Sequence, residues 1–171
     1  MLYVNFKYKD LELKSVEKKH LERLNDWIKN NNKNDHTCYS LDSQIFYRRF
    51  LEYYITEDEC FVEVYKNNEI IGVFKGRLEK KNKEELFIWF FAIDKNIRNK
   101  GIGSEVIDGI IRYFKENYNI NSVEVGVVQT NIEGIAFWDS LGFDVNRIVN
   151  SFFEGEIEKS RNLVVMKRIV M

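Results

Sequence analysis

Residues 86–104 read LFIWFFAIDKNIRNKGIGS, and the segment changes character twice within that length. Leu86 to Ile93 is apolar at odd and even positions alike, which predicts a strand covered on both faces, inside a sheet rather than at its edge. Asp94 to Gly103 is a polar connection containing two glycines. Beyond it Ile102, Val106, Ile107, Ile110, Ile111 and Phe114 recur at helical spacing, so the connection opens into an amphipathic helix. A buried strand that turns through glycines into a helix packed back on it points to a layered fold of sheet and helices.

The flanks extend this pattern. Downstream, Ser122 to Val128 predicts a strand, Asn131 to Leu141 a helix with Gly142 as its C′ residue, and two final strands follow near Phe143 to Phe153 and Leu163 to Ile169. Upstream, CFVEVY from Cys60 and IIGVFKGR from Ile70 flank the polar turn Lys66 to Glu69, which reads as a hairpin. Before it come two helices. Val16, Leu21, Leu24, Trp27 and Ile28 share one helical face with Ser15 as N-cap, and a second face starts near Asp42 and runs through Ile45, Phe46, Phe50 and Tyr53. Short strand segments lie at Leu2 to Phe6 and Leu11 to Leu13. There is no internal repeat and no Gly/Ser linker, and the polar spells Asn30 to Asp35 and Glu79 to Glu85 have the length of connections, so residues 1–171 are expected to form a single domain.

Composition removes several function classes. The chain has 171 residues and no proline, where average usage would supply about eight, which excludes proline-rich linkers, collagen-like repeats and PxxP ligands. Hydrophobic residues at 44% provide a core, and a formal charge of −1 gives no broad surface for a polyanion, so no nucleic-acid partner is expected. Cys38 and Cys60 show neither CxxC spacing nor a histidine cluster, which suggests a reducing compartment and no metal. No apolar run approaches the ~20 residues of a membrane span. A cytoplasmic protein is expected, with no membrane partner.

The loop Arg98-Asn99-Lys100-Gly101-Ile102-Gly103-Ser104 carries the chemistry. Two glycines one residue apart let successive N–H groups turn toward one anion, and the following helix adds its first-turn donors and the positive end of its dipole. Arg98, Lys100 and nearby Lys95 add positive charge, so a pyrophosphate is a natural occupant. The alternative is a tight strand-to-helix turn with solvated basic side chains. A Walker loop is excluded because GxxxxGK followed by Ser or Thr is absent, and a dinucleotide fingerprint would need Gly or Ala where Val106 stands.

Arg98-x-x-Gly101-x-Gly103, after a strand ending Phe91-Ala92-Ile93-Asp94, resembles the acetyl-coenzyme A loop of the GCN5-related N-acetyltransferases (GNAT). Val125 to Val128, Asn131, Phe137-Trp138 and Leu141-Gly142-Phe143 resemble that family's downstream motif. The resemblance implies an α/β (α+β) fold with a mixed, mostly antiparallel sheet of about six or seven strands, splayed between the strand ending at Ile93 and the one starting at Ser122, with about four helices. It implies acetyl-coenzyme A as cosubstrate and no metal. Backbone N–H groups of Arg98, Asn99, Lys100, Gly101, Ile102, Gly103 and Ser104 would hold the pyrophosphate. The strand edge at Ala92 and Ile93 would pair with the pantetheine and place a donor on the thioester oxygen. Asn131 would bond the pantetheine side, its alternative being a helix N-cap, and Trp138 would contact the coenzyme, its alternative being core packing.

The implied reaction is direct attack of an amine on the thioester in a ternary complex. An amine of pKa near 10.4 must first lose a proton, at a cost of roughly 4–5 kcal/mol at pH 7, so a base or a desolvating pocket is expected. Where some relatives place a catalytic glutamate this chain has Phe87, and Trp138 stands where many carry a tyrosine acid. Glu85, on the same strand face as Phe87, is the substitute base, its alternative being a solvated strand end. The acceptor is a small-molecule or protein amine. Trp27, His36, Tyr39, Tyr53 and Tyr54 are available to line its site, and Glu57, Asp58, Glu59, Glu154, Glu156 and Glu158 to favour a cation. His20 and His36 are weak candidates for a base. The rival reading is a catalytically weak coenzyme A-binding sensor or interaction protein, and a homodimer is compatible with either. Many relatives also carry a proline where Lys95 stands, so a flexible lead-in to the loop is expected here.

Overall fold

The computed structural model describes residues 1–32, 43–79, 84–150 and 162–170. In chain order the elements are β1 (Asn5–Tyr8), β2 (Leu11–Ser15), α1 (Leu21–Asn32), α2 (Ser43–Ile55), β3 (Glu59–Lys66), β4 (Glu69–Leu78), β5 (Glu85–Ile93), α3 (Ile102–Tyr118), β6 (Ser122–Val128), α4 (Ile132–Ser140), β7 (Asp144–Val149) and β8 (Leu163–Ile169). Asp42, His36, Cys38, Tyr39, Phe153, Glu154, Glu156 and Glu158 lie outside the described residues, as do residues 33–35 and 80–83 of the two polar spells Asn30 to Asp35 and Glu79 to Glu85.

The strands form one sheet in the order β1-β2-β3-β4-β5-β6-β8-β7. Every pairing is antiparallel except β5 with β6. The hairpin read from sequence is present. Lys66 faces Glu69 across a two-residue turn in which Asn67 and Asn68 take φ of 52° and 65°, the conformation whose twist suits a short hairpin and which asparagine tolerates.

The sheet has eight strands rather than six or seven because both short N-terminal segments pair, turning at Lys9 (φ 53°) and adding to β3. The same pairing moves the start of α1. Ser15 ends β2 with its Oγ accepting the buried Val4 N–H at 2.8 Å, and Val16 N–H donates to Phe61 O at 2.8 Å, so Ser15 is no N-cap and the helix begins at Leu21 after a 3₁₀ turn. At the other chain end of the pattern, Gly142 does terminate α4, with φ 78° and its N–H on Asp139 O at 2.9 Å.

Two apolar layers cover the sheet. On one face Val106, Ile107, Ile110 and Phe114 of α3 and Trp138 of α4 pack on Val62, Val64, Leu86, Ile88, Val123, Val125 and Met166. On the other, Leu24 and Ile28 of α1 and Phe50 and Tyr53 of α2 pack on Phe61 and Val73. Tyr53, expected as a pocket aromatic, is wholly buried in this second layer, whereas Tyr54 is exposed. Glu63 is buried beneath α1, where its carboxylate accepts from His20 Nδ1 at 3.1 Å, Arg23 Nη2 at 3.2 Å and Tyr65 Oη at 2.9 Å, which makes His20 a brace for the helix rather than a free base.

Burial pushes the Cys60 thiol up to about 12. In a Cys38→Ser background, Cys60 should therefore resist a disulfide reagent at pH 8 in the native protein and react once denatured; prompt native labelling would contradict its burial. Phe114→Ala should cost about 3–5 kcal/mol in chemical denaturation, while Ile132→Ser on the exposed side of α4 should stay within about 0.5 kcal/mol.

Candidate functional site

β5 and β6 pair in parallel only from Glu85↔Ser122 to Ile88↔Val125. Past that point β5 continues to Ile93 along β4 and β6 continues to Val128 along β8, so the two strands part and leave a wedge between them. The departure coincides with a bulge. The β4 register steps from Lys75↔Phe90 to Gly76↔Ile88, leaving Trp89 as the extra residue on β5. The bulge turns Trp89 toward the face that carries α1 and α2, where it is 44% exposed, 4.7 Å from the Phe87 ring, and under the Arg77 guanidinium at 5.2 Å.

The bulge also decides which backbone groups face the wedge. Asp94 donates its N–H to Ile71 O at 2.9 Å, toward β4. Neighbouring residues of an antiparallel pair point their N–H and C=O to opposite edges. Ala92 therefore directs its groups at β4 as Asp94 does, and Phe91 and Ile93 direct theirs into the wedge. The strand edge read from sequence at Ala92 and Ile93 is thus Phe91 and Ile93, with Ala92 serving the sheet.

The glycine loop closes the top of the wedge. Asp94 caps a 3₁₀ turn, Lys95–Ile97, by accepting from Asn96 N at 2.8 Å. Arg98 does not simply offer its charge to solvent, since its Nε donates to Ile93 O at 3.0 Å and braces the loop against the end of β5. Lys100 Nζ donates to Asn96 O at 3.2 Å. With these bonds the lead-in is more constrained than its lack of proline suggests. Asn99 (φ 61°) and Gly101 (φ 79°, ψ −9°) both take the left-handed conformation, and Gly101 is the N-cap of α3, offering no side chain to its amides. The first helical bond runs from Glu105 N to Gly101 O at 3.1 Å, so the N–H groups of Ile102, Gly103 and Ser104 have no carbonyl one turn back. An uncapped helix start behind a left-handed glycine is an anion cradle.

Asn131 takes the alternative read for it. Its Oδ1 accepts the Gly134 N–H at 2.9 Å and caps α4, which leaves its amide NH₂ as the group able to donate elsewhere. Trp138 does likewise. It is 5% exposed, with Phe91, Phe137 and Phe143 rings 6.0, 5.0 and 5.1 Å away, the surroundings of a core residue.

Glu85 lies at the closed end of the wedge and is not a free carboxylate. Its Oε2 accepts from Lys167 Nζ and from Ser122 Oγ. The ammonium of Lys167 is held above the usual lysine range chiefly by that bond to Glu85. Glu124, beside Phe87 in the β5–β6 register and 4% exposed, accepts from Arg147 Nη1 at 3.0 Å and Asn146 Nδ2 at 2.9 Å. Both carboxylates next to Phe87 are thus engaged with basic side chains, and Glu85 Oε2 is shared between Lys167 and Ser122 rather than open to an incoming amine. Glu59 likewise pairs with Lys75 at 3.1 Å. Among the described residues no group of three or more His, Cys, Asp and Glu could hold a metal, and no helix is long and apolar enough to cross a membrane.

Sequence patterning missed three of these features: Trp89 as a bulge, the wedge-facing backbone of Phe91, and the Lys167 and Arg147 partners of the glutamates. The bulge has no residue signature here, and the ion pairs join elements far apart in the chain. Gly134 gives a test of the cap. A Cβ there would collide with the Asn131 amide, so Gly134→Ala should lose the cap and forfeit the usual gain of alanine in a helix. Asn131→Ala should cost about 0.5–2 kcal/mol; stabilisation by Gly134→Ala in thermal unfolding would contradict the geometry.

Comparison with known proteins agrees with this architecture. Residues 13–158 match the family model described as an acetyltransferase (GNAT) domain. The chain is 28% identical over 123 residues, 70% of its length, to an L-2,4-diaminobutyric acid acetyltransferase of Wolinella succinogenes, of which the match spans 65%. Among solved structures, an apo form of the ribosomal L7/L12 alpha-N-protein acetyltransferase RimL superposes with a TM-score of 0.82 at 13% identity, covering 99% of this chain and 96% of that one. The microcin C7 self-immunity acetyltransferase MccE, in complex with acetyl-CoA and AMP, superposes at 0.76 with 16% identity, over 95% and 93% of the two chains. The chain spans less than two thirds of that curated relative, while the family model runs from within β2 through β7. On that match, together with the wedge and the uncapped glycine loop, the chain belongs to the GNAT acetyltransferase family.

Proposed function

We propose that this protein is an acetyl-coenzyme A-dependent N-acetyltransferase acting on a primary amine, with residues 1–171 working as one domain. The observation that carries the reading is the wedge beside β5, where Phe91 and Ile93 present backbone groups to an edge that no described strand fills, directly below the uncapped start of α3. An extended amide-bearing arm fits such an edge as an added strand would, and a pyrophosphate fits the loop.

In this reading the amides from Arg98 to Ser104 hold the pyrophosphate, and Arg98 keeps the loop in place through Ile93 O. Ile93 N–H and the backbone of Phe91 pair with the pantetheine, and the Phe91 N–H is the donor available to the thioester oxygen, on which negative charge develops during attack. The Asn131 NH₂ donates from the opposite side of the wedge. Bound acetyl-coenzyme A supplies the activated acetyl group. The acceptor enters from the face of α1 and α2, where the exposed indole of Trp89 and the ring of Phe87 form an apolar floor that disfavours the charged form of the amine. Thiolate is a weak base, so water or the proton released by the amine suffices to protonate it. The reading includes a cytoplasmic location, where free acetyl-coenzyme A is available as cosubstrate.

The acceptor is a small-molecule or protein amine. The curated relative is named for a diamino acid and the RimL structure for a protein α-amine, so the likenesses span both kinds. Acetyl-coenzyme A at about a hundred times its Kd should add about 2.7 kcal/mol of thermal stability, and NAD should add none. Free thiol should then be released in proportion to acceptor across a panel of diamines and peptide N-termini. Stabilisation without acceptor-dependent release would favour the sensor reading, and no stabilisation would remove both. Glu85→Gln should leave the shape of the kcat/KM pH profile unchanged, because the carboxylate is committed to Lys167; loss of an acidic limb would restore it as the base.

A further inference from the structure

The last turn of α1 reaches the start of the glycine loop. Asn31 Oδ1 accepts the N–H of Lys95 at 3.1 Å, joining elements 64 residues apart in the chain, and Asn31 Nδ2 donates to Trp27 O at 3.0 Å within its own helix. The two partners fix the amide's orientation without ambiguity, since one is a donor and the other an acceptor. Lys95 is the first residue of the 3₁₀ turn that leads to Arg98, and the bonds that follow carry the constraint onward: Asp94 to Asn96, Asp94 O to Ile97 N at 3.0 Å, and Asn96 O to Lys100.

The backbone at Lys95 would otherwise suit a proline. It is the first residue of a helical turn, a place where proline's fixed φ is welcome, and Asp94 before it is extended (ψ 127°), as the residue before a proline prefers. What proline lacks is the N–H that Asn31 takes. A chain without a single proline thus restrains this lead-in by a tertiary hydrogen bond instead of a ring.

We propose that Asn31 is a positioning residue for the phosphate-binding loop, holding the loop in its binding conformation from α1 through the Lys95 amide. The inference rests on the coenzyme reading above. Without the bond the free loop samples more conformations, and binding must then restore the order that Asn31 maintained in advance. A bond that merely tied down the end of α1 would change stability and leave affinity alone.

The test is a double-mutant cycle on coenzyme A affinity, measured calorimetrically for the wild-type protein, Asn31→Ala, Lys95→Pro and the double variant. Asn31→Ala and Lys95→Pro remove the same bond from its two ends, and each should raise Kd about 3- to 10-fold. Lys95→Ala, made in both backgrounds, accounts for the loss of the lysine's charge; relative to it, the proline in the Asn31→Ala background removes no bond, so its stiffening should show as a recovery of about 2- to 5-fold. That reversal of sign at Lys95 is a result a purely structural role does not produce, and the Lys95→Pro variant tests the bond even if Asn31→Ala folds poorly. Wild-type binding with Asn31→Ala within twofold of it, or losses that add in the double variant, would overturn the inference alone. No binding by the wild-type protein would overturn the coenzyme reading and the inference together.

Discussion

The parting of β5 from β6 after Ile88↔Val125 is the constraint on which the rest of this molecule depends. A sheet normally saturates both edges of an interior strand, and leaving part of one edge without a strand partner has a cost that only a compensating partner offsets. Here the extra residue Trp89 reverses the phase of the strand, so that Phe91 and Ile93 turn their backbone groups outward while β4 keeps its hold on Ala92 and Asp94. One of the exposed acceptors, Ile93 O, is taken by Arg98 Nε. The rest is a template of donors and acceptors set beneath the amides of the α3 start.

Both flanks of the wedge are braced from elsewhere in the fold. Phe91, Phe137 and Trp138 pack between the end of β5 and α4, with the Phe137 ring close over Gly103. On the opposite face Lys167 bridges Glu85 and Glu124, and Arg147 reaches the latter from β7, which fixes the strands where they are still paired. These carboxylates, Glu124 buried and Glu85 partly exposed, are satisfied, and their value is in holding β5, β6, β8 and β7 in register more than in net stability. α1 joins the assembly twice, through Glu63 to β3 and through Asn31 to the loop.

Much of this was legible in the residues. The apolar run at Leu86 to Ile93, the Gly101 and Gly103 spacing and the periodicity of α3 placed the loop correctly, because strand, turn and helix signals there are local. For Asn131 the helix N-cap was the alternative reading, and the structure shows that cap on its carbonyl. Trp138 was read toward the coenzyme, yet three aromatic neighbours from β5, α4 and the chain beyond Gly142 enclose it, which no spacing in its own helix reveals. Ser15 had the right chemistry for an N-cap and used it on Val4 instead, since pairing with β1 and β3 claims that stretch first. The shift from Ala92 to Phe91 at the strand edge came from one bulge residue, a matter of register that sequence alone leaves undetermined.

The central claim is that the wedge-facing amides of β5 and the start of α3 receive the coenzyme, and amide hydrogen exchange resolved by residue tests it most directly. In the free protein Ala92, bonded to β4, should exchange slowly, and Phe91 and Ile93 faster. Saturating coenzyme A should slow Phe91 and Ile93 together with the amides from Gly101 to Ser104, and leave Ala92 as it was. Protection that appears at neither the β5 edge nor the loop, or that changes Ala92 while sparing Phe91 and Ile93, would contradict the account.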